Sequence, residues 1–132
     1  MSQTTSTEIS ADVREFFAEF ERASNHPDPD VVGEQFAPTF LTGDPNGIVP
    51  VPRAAFLATL PRRQDPLSAR ASPVRLIGLE QTDLDRHYLL VRTEWLAAVG
   101  PGGPDRPLTS TFLLHRDAGG RLTIAVYLKH TE

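Results

Sequence analysis

The chain has 132 residues, a formal net charge of −4 and no cysteine, and 39% of its residues are hydrophobic. This length predicts one domain (1–132) that buries enough apolar surface to fold without disulfides or a metal. The mild acidity and the scattered Lys and Arg side chains argue against a nucleic-acid-binding protein.

The N-terminal residues 1–10 carry neither the basic start nor the apolar run of an export signal. No later stretch approaches the roughly 18 apolar residues that a membrane span needs. We therefore expect a cytoplasmic protein that does not insert into membranes. Residues 1–7 are expected to form a flexible tail.

A first amphipathic helix is predicted from Ser10, its N-cap, to about Asn25, where the prolines of NHPDPD end it. Its apolar residues recur at helical spacing: Ile9, Val13, Phe16, Phe17 and Phe20. Asp30 is then placed to cap a short second helix from Val31 to about Phe36. The two helices together are expected to form a helical hairpin.

The segment FLTGDPNGIVPV has apolar residues on both sides of Asp44-Pro45-Asn46-Gly47, which predicts a small β-hairpin with Asp44 at its entrance. Pro52 fits the first turn of a third helix, which runs from Arg53 to about Leu60. Its inward residues are expected to be Phe56, Leu57 and Leu60. Residues 62–72 are a polar connector.

Four strand patterns follow, in PVRLIGLEQ, HYLLVRTEWLAAV, LTSTFLLHR and RLTIAVYLKH. Asp117–Gly120 is the turn between the last two strands. Residues 100–107 hold three prolines and three glycines, which predicts a loop that is either a lid or only a hairpin end. The order predicts an α+β fold, with three helices on one face of a curved, mostly antiparallel sheet.

Because the chain has no cysteine, metal sites built from thiolates are excluded. The remaining side chains with an imidazole ligand are the four histidines, His26, His87, His115 and His130. Their spacing matches no metal motif, although the last two are able to meet across a hairpin. Solvated or structural histidines are the commoner case. We therefore predict neither a metal site nor a cofactor.

This order of elements resembles the nuclear transport factor 2-like superfamily over nearly the whole chain. Phe36-Ala37, followed by the turn Asp44–Gly47, is most similar to the ketosteroid isomerase and polyketide-cyclase-like branch. The resemblance implies a cystatin-like α+β cone, in which the concave sheet face and the helices enclose a pocket. It says little about activity, since one fold hosts many functions.

In ketosteroid isomerases the general base is an Asp, and the resemblance places Asp44 at its position. Those enzymes stabilise the enolate oxygen with a Tyr hydroxyl and a protonated Asp. The corresponding positions here are Phe17 or Phe20 on the first helix and Phe112 on a strand. Because phenylalanine donates no hydrogen bond, ketosteroid isomerase activity is not expected.

Alternation along the strands sorts the pocket-facing residues once Phe112 is taken as inward. The predicted ligand-binding residues are Phe17, Phe20, Phe40, Arg53, Phe56, Leu89, Val91, Thr93, Trp95, Ser110, Phe112, Leu114 and Ala125. Such a lining suits a small apolar or aromatic molecule, but it also suits a cone filled by its own side chains, which is the commoner case for aromatic residues on a helix or strand face.

Asp44 and Tyr127 are the predicted catalytic residues, with Asp44 as base or orienting group and the Tyr127 hydroxyl as donor. Arg53 is placed to neutralise Asp44 or to bind an anion. Each has a structural alternative: Asp44 as an acceptor within its turn, Tyr127 as a half-buried strand residue and Arg53 as a solvated first-turn residue.

The opposite sheet face is predicted to carry Leu90, Leu96, Leu113, Ile124, Val126 and Leu128, with Arg92 and Glu94 beside them. A homodimer through the sheet is the simplest cover for such a patch, and the superfamily commonly forms one. If the faces are reversed, the row of Phe112 and Tyr127 becomes the interface.

Two functions fit the sequence, and the first is the one that it favours. The first is a small-molecule binder or isomerase- or cyclase-like enzyme that uses Asp44, which predicts a cavity. The second is a non-catalytic dimerisation or interaction module, which predicts that Asp44 is solvated and that Phe17, Phe20 and Phe112 touch. A hydratase-like or cyclase-like enzyme that uses water is a third, but no Asp/His or Arg/Asp pair can be assembled for it.

Overall fold

A computed structural model describes residues 9–25, 29–58, 74–97 and 105–130 of the chain. The elements are α1 (Ala11–Asn25), α2 (Pro29–Gln35), β1 (Phe36–Asp44), β2 (Gly47–Pro52), α3 (Arg53–Ala58), β3 (Val74–Asp83), β4 (Tyr88–Ala97), β5 (Arg106–Arg116) and β6 (Leu122–His130). Several predicted features lie outside the described residues: the tail 1–7, His26, Leu60, the connector 62–72 and most of the loop 100–107.

The strands form one six-stranded sheet in the order β2-β1-β6-β5-β4-β3. Neighbouring strands are antiparallel except β1 and β6, which run parallel. The predicted α+β class, with three helices and a mostly antiparallel sheet, is confirmed. The expectation of about four strands is too low, because the β1–β2 hairpin joins the sheet edge instead of standing apart.

Three predicted boundaries shift. The second helix begins at Pro29, so Asp30 lies in its first turn, and it ends at Gln35. Phe36 already belongs to β1, where it pairs with Ile124 of β6. Strand β5 begins at Arg106 because that residue pairs with Ala97. Pairing between strands overrides the local signals at Phe36 and at Arg106.

Helix α1 is fixed to the sheet at both ends. Ser10 directly precedes the helix, as predicted, and its amide and hydroxyl both donate to the side-chain oxygen of Gln81, at 3.0 and 3.2 Å. At the far end, the Asn25 amide accepts from and donates to the backbone of Val74, both at 2.8 Å. These bonds set the angle at which α1 crosses the concave face.

The face under the helices, called the inner face below, carries the core. Fully buried side chains from α1 and four strands meet there: Val13, Phe17, Phe36, Leu89, Val91, Phe112, Leu114 and Ile124. This confirms that the row containing Phe112 points towards the helices. The reversed arrangement of faces is therefore wrong.

A β-bulge in β6 corrects two face predictions. Leu113 pairs with Val126 but Leu114 pairs with Ile124, so Ala125 is an extra residue in the strand. Ile124 consequently turns inward and is fully buried, although strict alternation places it on the outer face. Ala125 is only half-buried.

Replacing Phe112 by Ala tests the core. Its ring is fully buried, so Phe112→Ala should lower the free energy of unfolding by about 3–5 kcal/mol in urea denaturation. Ile77→Ala, at a side chain that is 49% exposed, serves as the control and should cost much less. Equal losses for both variants would show that Phe112 is not packed as described.

An ion pair between α1 and β5 predicts a pH dependence of stability. Arg116 Nη2 and Nε donate to Asp12 Oδ2 at 2.9 and 3.1 Å. Partial burial raises the pKa of Asp12, but the nearby Ser10 hydroxyl and the hydrogen bonds and charge of Arg116 outweigh this effect and hold the pKa below 3.8. The ionised carboxylate therefore stabilises the fold above that pH, and the contribution is lost as the pH falls below 3.8.

We expect Asp12→Asn to lower the free energy of unfolding at pH 6, and the difference from the unsubstituted protein to shrink as the pH falls below 3.8 and the Asp12 carboxylate takes up a proton. Glu15→Gln, on the same helix, is the control and should show no such trend. A loss in Asp12→Asn that stays constant with pH would contradict the ion-pair account.

Candidate functional site

The strand register places the predicted site residues in rows across the inner face. One row crosses four strands through paired residues: Thr42, Tyr127, Phe112 and Val91. A neighbouring row contains Lys129, Ser110 and Thr93. Asp44 lies two residues after Thr42 on β1 and therefore shares its face of the sheet. The predicted pair Asp44 and Tyr127 thus falls on adjacent strands of the same face.

The centre of this face is occupied by rings in mutual contact. Phe17 lies 5.1 Å from Phe112 and 5.9 Å from Phe20, and Phe20 lies 5.2 Å from Phe112, measured between ring centroids. The Tyr127 ring stacks on Phe112 at 4.7 Å, with 5° between the ring planes. We call Phe17, Phe20, Phe112 and Tyr127 the central aromatic cluster. It occupies the level at which the resemblance places a pocket.

A second group of rings continues the packing towards α3. Phe36 lies 4.5 Å from Phe40 and 5.0 Å from Phe56, and it also lies 6.3 Å from Phe20 of the central aromatic cluster. Phe36 is absent from the predicted lining because the sequence pattern assigns it to the end of a helix. The signal was present, since the Phe36-Ala37 pair belongs to the motif on which the resemblance rests.

The polar side chains beneath the rings are bonded to one another. Trp95 Nε1 donates to Thr93 Oγ1 at 2.7 Å, and Thr93 Oγ1 donates to the Ser110 carbonyl oxygen at 3.0 Å. All three residues are buried. Both the indole N–H and the threonine hydroxyl are thus satisfied by the protein itself.

Asp44 is solvent-exposed at the tip of the β1–β2 hairpin. Its Oδ1 accepts the backbone N–H of Asn46 at 2.8 Å, which is the turn geometry typical of Asp. Tyr127 is half-buried, and the Lys129 ammonium lies 5.9 Å from the centroid of its ring. The inner face therefore ends in a polar rim formed by Asp44, Tyr127 and Lys129.

Arg53 takes a different position from the predicted one. Its Nη1 donates to the carbonyl oxygens of Gly33 and Phe36, both at 3.1 Å. Arg53 follows Pro52, which pairs with Thr39 of β1. Thr39 lies five residues before Asp44, so the two are separated by about 17 Å along the extended strand. The expectation that Arg53 neutralises Asp44 is wrong, because its guanidinium instead links α3 to α2 and β1.

The remaining predicted lining residues lie in the core. Leu89, Val91 and Leu114 are fully buried, Phe40 is 2% exposed, and Phe56 is half-buried against the core. Ala125 leaves this row because of the bulge, and Ile124 takes its place. Only the β-bulge decides which of Ala125 and Ile124 points inward, and the sequence carries no clear signal for a bulge.

Two exposed aspartates in turns, Asp85 and Asp117, have lowered pKa values because backbone N–H groups bond to their carboxylates. Backbone N–H groups of His87 and Tyr88 hold the pKa of Asp85 below 3.8, and that of Arg121 does the same for Asp117. Both carboxylates close tight turns. The lowered pKa values of Asp85 and Asp117 therefore come from hydrogen bonds within their own turns.

The two strand histidines stand apart. His130 Nε2 lies 2.7 Å from Thr111 Oγ1, whereas His115 packs on Tyr88 at the other end of the β5–β6 hairpin. Within the described ranges, no three His, Asp or Glu side chains are grouped closely enough to bind a metal. The helices described here include none that is long and apolar enough to cross a membrane.

The outer sheet face carries neighbouring apolar side chains on β2, β1, β6, β5 and β4. These are Leu41, Ile48, Leu90, Leu113, Val126 and Leu128, which we call the outer apolar patch. Leu41 is 38% exposed and Ile48 52% exposed. Leu128 packs so closely on Gly43 that a Cβ at that glycine would lie 2.8 Å from Leu128 Cδ2.

Comparison with known proteins identifies the fold. No protein-family model matches the chain, and no curated protein does. An NTF2-like protein of unknown function from Shewanella oneidensis superposes with a TM-score of 0.70 at 13% identity, covering 91% of this chain and 97% of that one. A protein of unknown function with a cystatin-like fold from Nostoc punctiforme gives 0.71 at 13% identity, with 95% of each chain covered.

A protein from Shewanella frigidimarina described as a candidate ketosteroid isomerase gives a TM-score of 0.71 at 13% identity, covering 91% of this chain and 94% of that one. These similarities confirm the predicted NTF2-like, cystatin-like fold. At such low identity they show the fold alone.

Proposed function

We propose that this protein is a non-catalytic interaction module that pairs with a second copy of the chain through the outer face of its sheet. One observation carries the proposal: Phe17 and Phe112 are fully buried and in contact on the inner face, whereas the outer apolar patch has two exposed members, Leu41 and Ile48, and four half-buried ones. Apolar surface left accessible on the outside, over a packed interior, is typical of an interface rather than of a pocket.

The ring contacts on the inner face argue against a deep ligand site at the level of Phe112. The rings of Phe17 and Phe112 are fully buried and touch each other. A ligand at this level has to displace rings from close-packed positions, and each displaced ring loses its contacts and its burial. The free energy needed to displace the rings reduces the net binding free energy, so the affinity for such a ligand is low.

The chemistry of the site argues against proton abstraction. A carboxylate base needs a hydrogen-bond donor for the enolate oxygen that forms. The two donor positions implied by the family resemblance hold phenylalanines here, and both lie in the central aromatic cluster. Asp44 itself is exposed and bonded within its turn. These features support a structural role for Asp44.

The size of the outer face fits a dimer. Six strands of six to eleven residues give a surface of about 24 Å by 30 Å, or about 700 Å², close to the roughly 800 Å² that each partner buries in a standard interface. Arg92 and Glu94 lie beside the outer apolar patch with opposite charges. A two-fold axis can set each against its opposite on the second copy.

A charge in the patch tests the dimer. Leu113→Asp should shift sedimentation equilibrium from dimer to monomer, because it buries an unpaired carboxylate in the proposed interface. Val49→Asp is the control: this residue is 55% exposed on the other face of the β1–β2 hairpin, and the variant should remain dimeric. Circular dichroism checks that both fold. A monomeric unsubstituted protein at about 100 µM would refute the proposal.

A second candidate function is the binding of a small apolar or aromatic molecule at the polar rim. It is favoured by the placement of Asp44 one inward position beyond Thr42, which pairs with Tyr127. The Lys129 ammonium over the Tyr127 ring adds a cation to the same rim. A lipophilic carbonyl compound would lay its apolar body on Tyr127 and direct its oxygen to the charged rim.

We would screen lipophilic carbonyl compounds by amide NMR shifts in residues 42–44 and 127–129. Asp44→Asn is expected to weaken a hit at least tenfold without a large loss of stability, because the exposed carboxylate contributes little to folding. Asp83→Asn, at the end of β3, is the control. The absence of any hit, or equal binding by both variants, would exclude the rim as a ligand site.

A further inference from the structure

The β1–β2 hairpin carries the pair Asn46-Gly47 at its tip, where both residues are exposed. The ladder of this hairpin ends at the pair Asp44 and Gly47, so only Pro45 and Asn46 lie beyond it. The last pair of a ladder opens more readily than the central ones. The two functions proposed above use Asp44 or the outer sheet face, and neither of them uses Asn46.

The side-chain amide of Asn46 is left to solvent. The backbone N–H of Asn46 donates to Asp44 Oδ1 at 2.8 Å, but its side-chain amide makes no hydrogen bond within the ranges that the structure describes. The other asparagine of the chain, Asn25, accepts from the Val74 N–H and donates to the Val74 carbonyl oxygen, both at 2.8 Å. The Asn25 amide therefore cannot rotate without losing two hydrogen bonds, whereas the Asn46 amide can.

The residue after Asn46 has no side chain to shield its backbone nitrogen. A Cβ built at Gly47 would meet no atom within 4 Å, so the surroundings leave this backbone open as well. The φ angle of Gly47 is +148°, a conformation that residues with a Cβ rarely adopt, which favours glycine here. The Gly47 nitrogen is thus accessible to the side chain that precedes it.

We propose that Asn46 is a site of spontaneous deamidation through a cyclic imide with Gly47. The Gly47 nitrogen loses its proton and attacks Asn46 Cγ. A new N–Cγ bond forms, the Cγ–Nδ2 bond breaks, and Nδ2 leaves as ammonia with one added proton. Water then opens the five-membered ring. Opening at Cγ gives an aspartate, and opening at the backbone carbonyl gives an isoaspartate, whose main chain runs through Cγ.

Both products alter the tip of the hairpin. An aspartate adds a negative charge two residues from Asp44 at neutral pH. An isoaspartate also adds one carbon to the main chain, in a loop of two residues whose flanking pairs are Asp44 with Gly47 and Gly43 with Ile48. Because loop length sets the register of a hairpin, we expect the longer main chain to loosen β2.

Mass spectrometry of the incubated, folded protein tests the site. Samples kept at pH 8.5 and at pH 5 would be digested after glutamates, which places Asn25 in fragment 22–34 and Asn46 in fragment 35–80. We expect residue 46 to exchange the mass of an NH₂ group for that of an OH group, and faster at pH 8.5, where the amide proton is lost more often. Fragment 22–34 is the internal control and should remain unmodified.

Two variants test the cyclic route. Gly47→Ala is expected to slow the mass gain at least tenfold, because a methyl group shields the nitrogen, and circular dichroism checks its fold. In Asn46→Gln the ring would need six members and closes far more slowly, so this variant should keep its mass. Hydrogen exchange of the β2 amides should be faster in the aged unsubstituted protein than in aged Asn46→Gln.

The proposal is overturned if residue 46 keeps its mass through several weeks at pH 8.5, or if Asn25 reacts as fast as Asn46 in the folded protein. An equal mass gain in Asn46→Gln would also overturn it, because the reaction would then lie elsewhere in the chain. Equal exchange of the β2 amides in the two aged proteins would contradict the formation of isoaspartate.

Discussion

The contact between the α1 rings and Phe112 is the constraint on which the rest of this structure depends. Phe17 and Phe20 are three residues apart on one helix, and both lie about 5 Å from Phe112 on β5. Once these rings meet, α1 has one angle across the sheet, which Asn25 and Ser10 then fix by hydrogen bonds. Among the residues that the structure describes, these rings occupy the centre of the inner face, and the features that remain accessible to a partner are on the rim and on the outer face.

Local signals in the sequence predicted the elements well. Periodicity and prolines located α1, and Asp44-Pro45-Asn46-Gly47 located the β1–β2 turn, because these features are decided by residues a few positions apart. Strand alternation also identified the buried row of Leu89, Val91 and Phe112, once the family resemblance had set Phe112 inward. The helix and turn predictions needed only short-range stereochemistry and the tendency of apolar side chains to be buried.

Long-range pairing explains what the sequence did not predict. The parallel contact of β1 with β6 joins residues more than 80 positions apart, and it alone moves Phe36 from a helix end into the core. The bulge at Ala125 exchanges the faces of Ala125 and Ile124 without any distinctive residue.

The proposed dimer depends most directly on an inner face that is filled by side chains. Methyl NMR under xenon pressure tests it most directly, because xenon enters apolar cavities without needing polar contacts. A filled face predicts only small, non-saturating shifts for the methyl groups of Leu89, Leu114 and Ile124. Large shifts of these methyls that saturate with pressure would reveal a cavity and return the inner face to consideration as a ligand pocket.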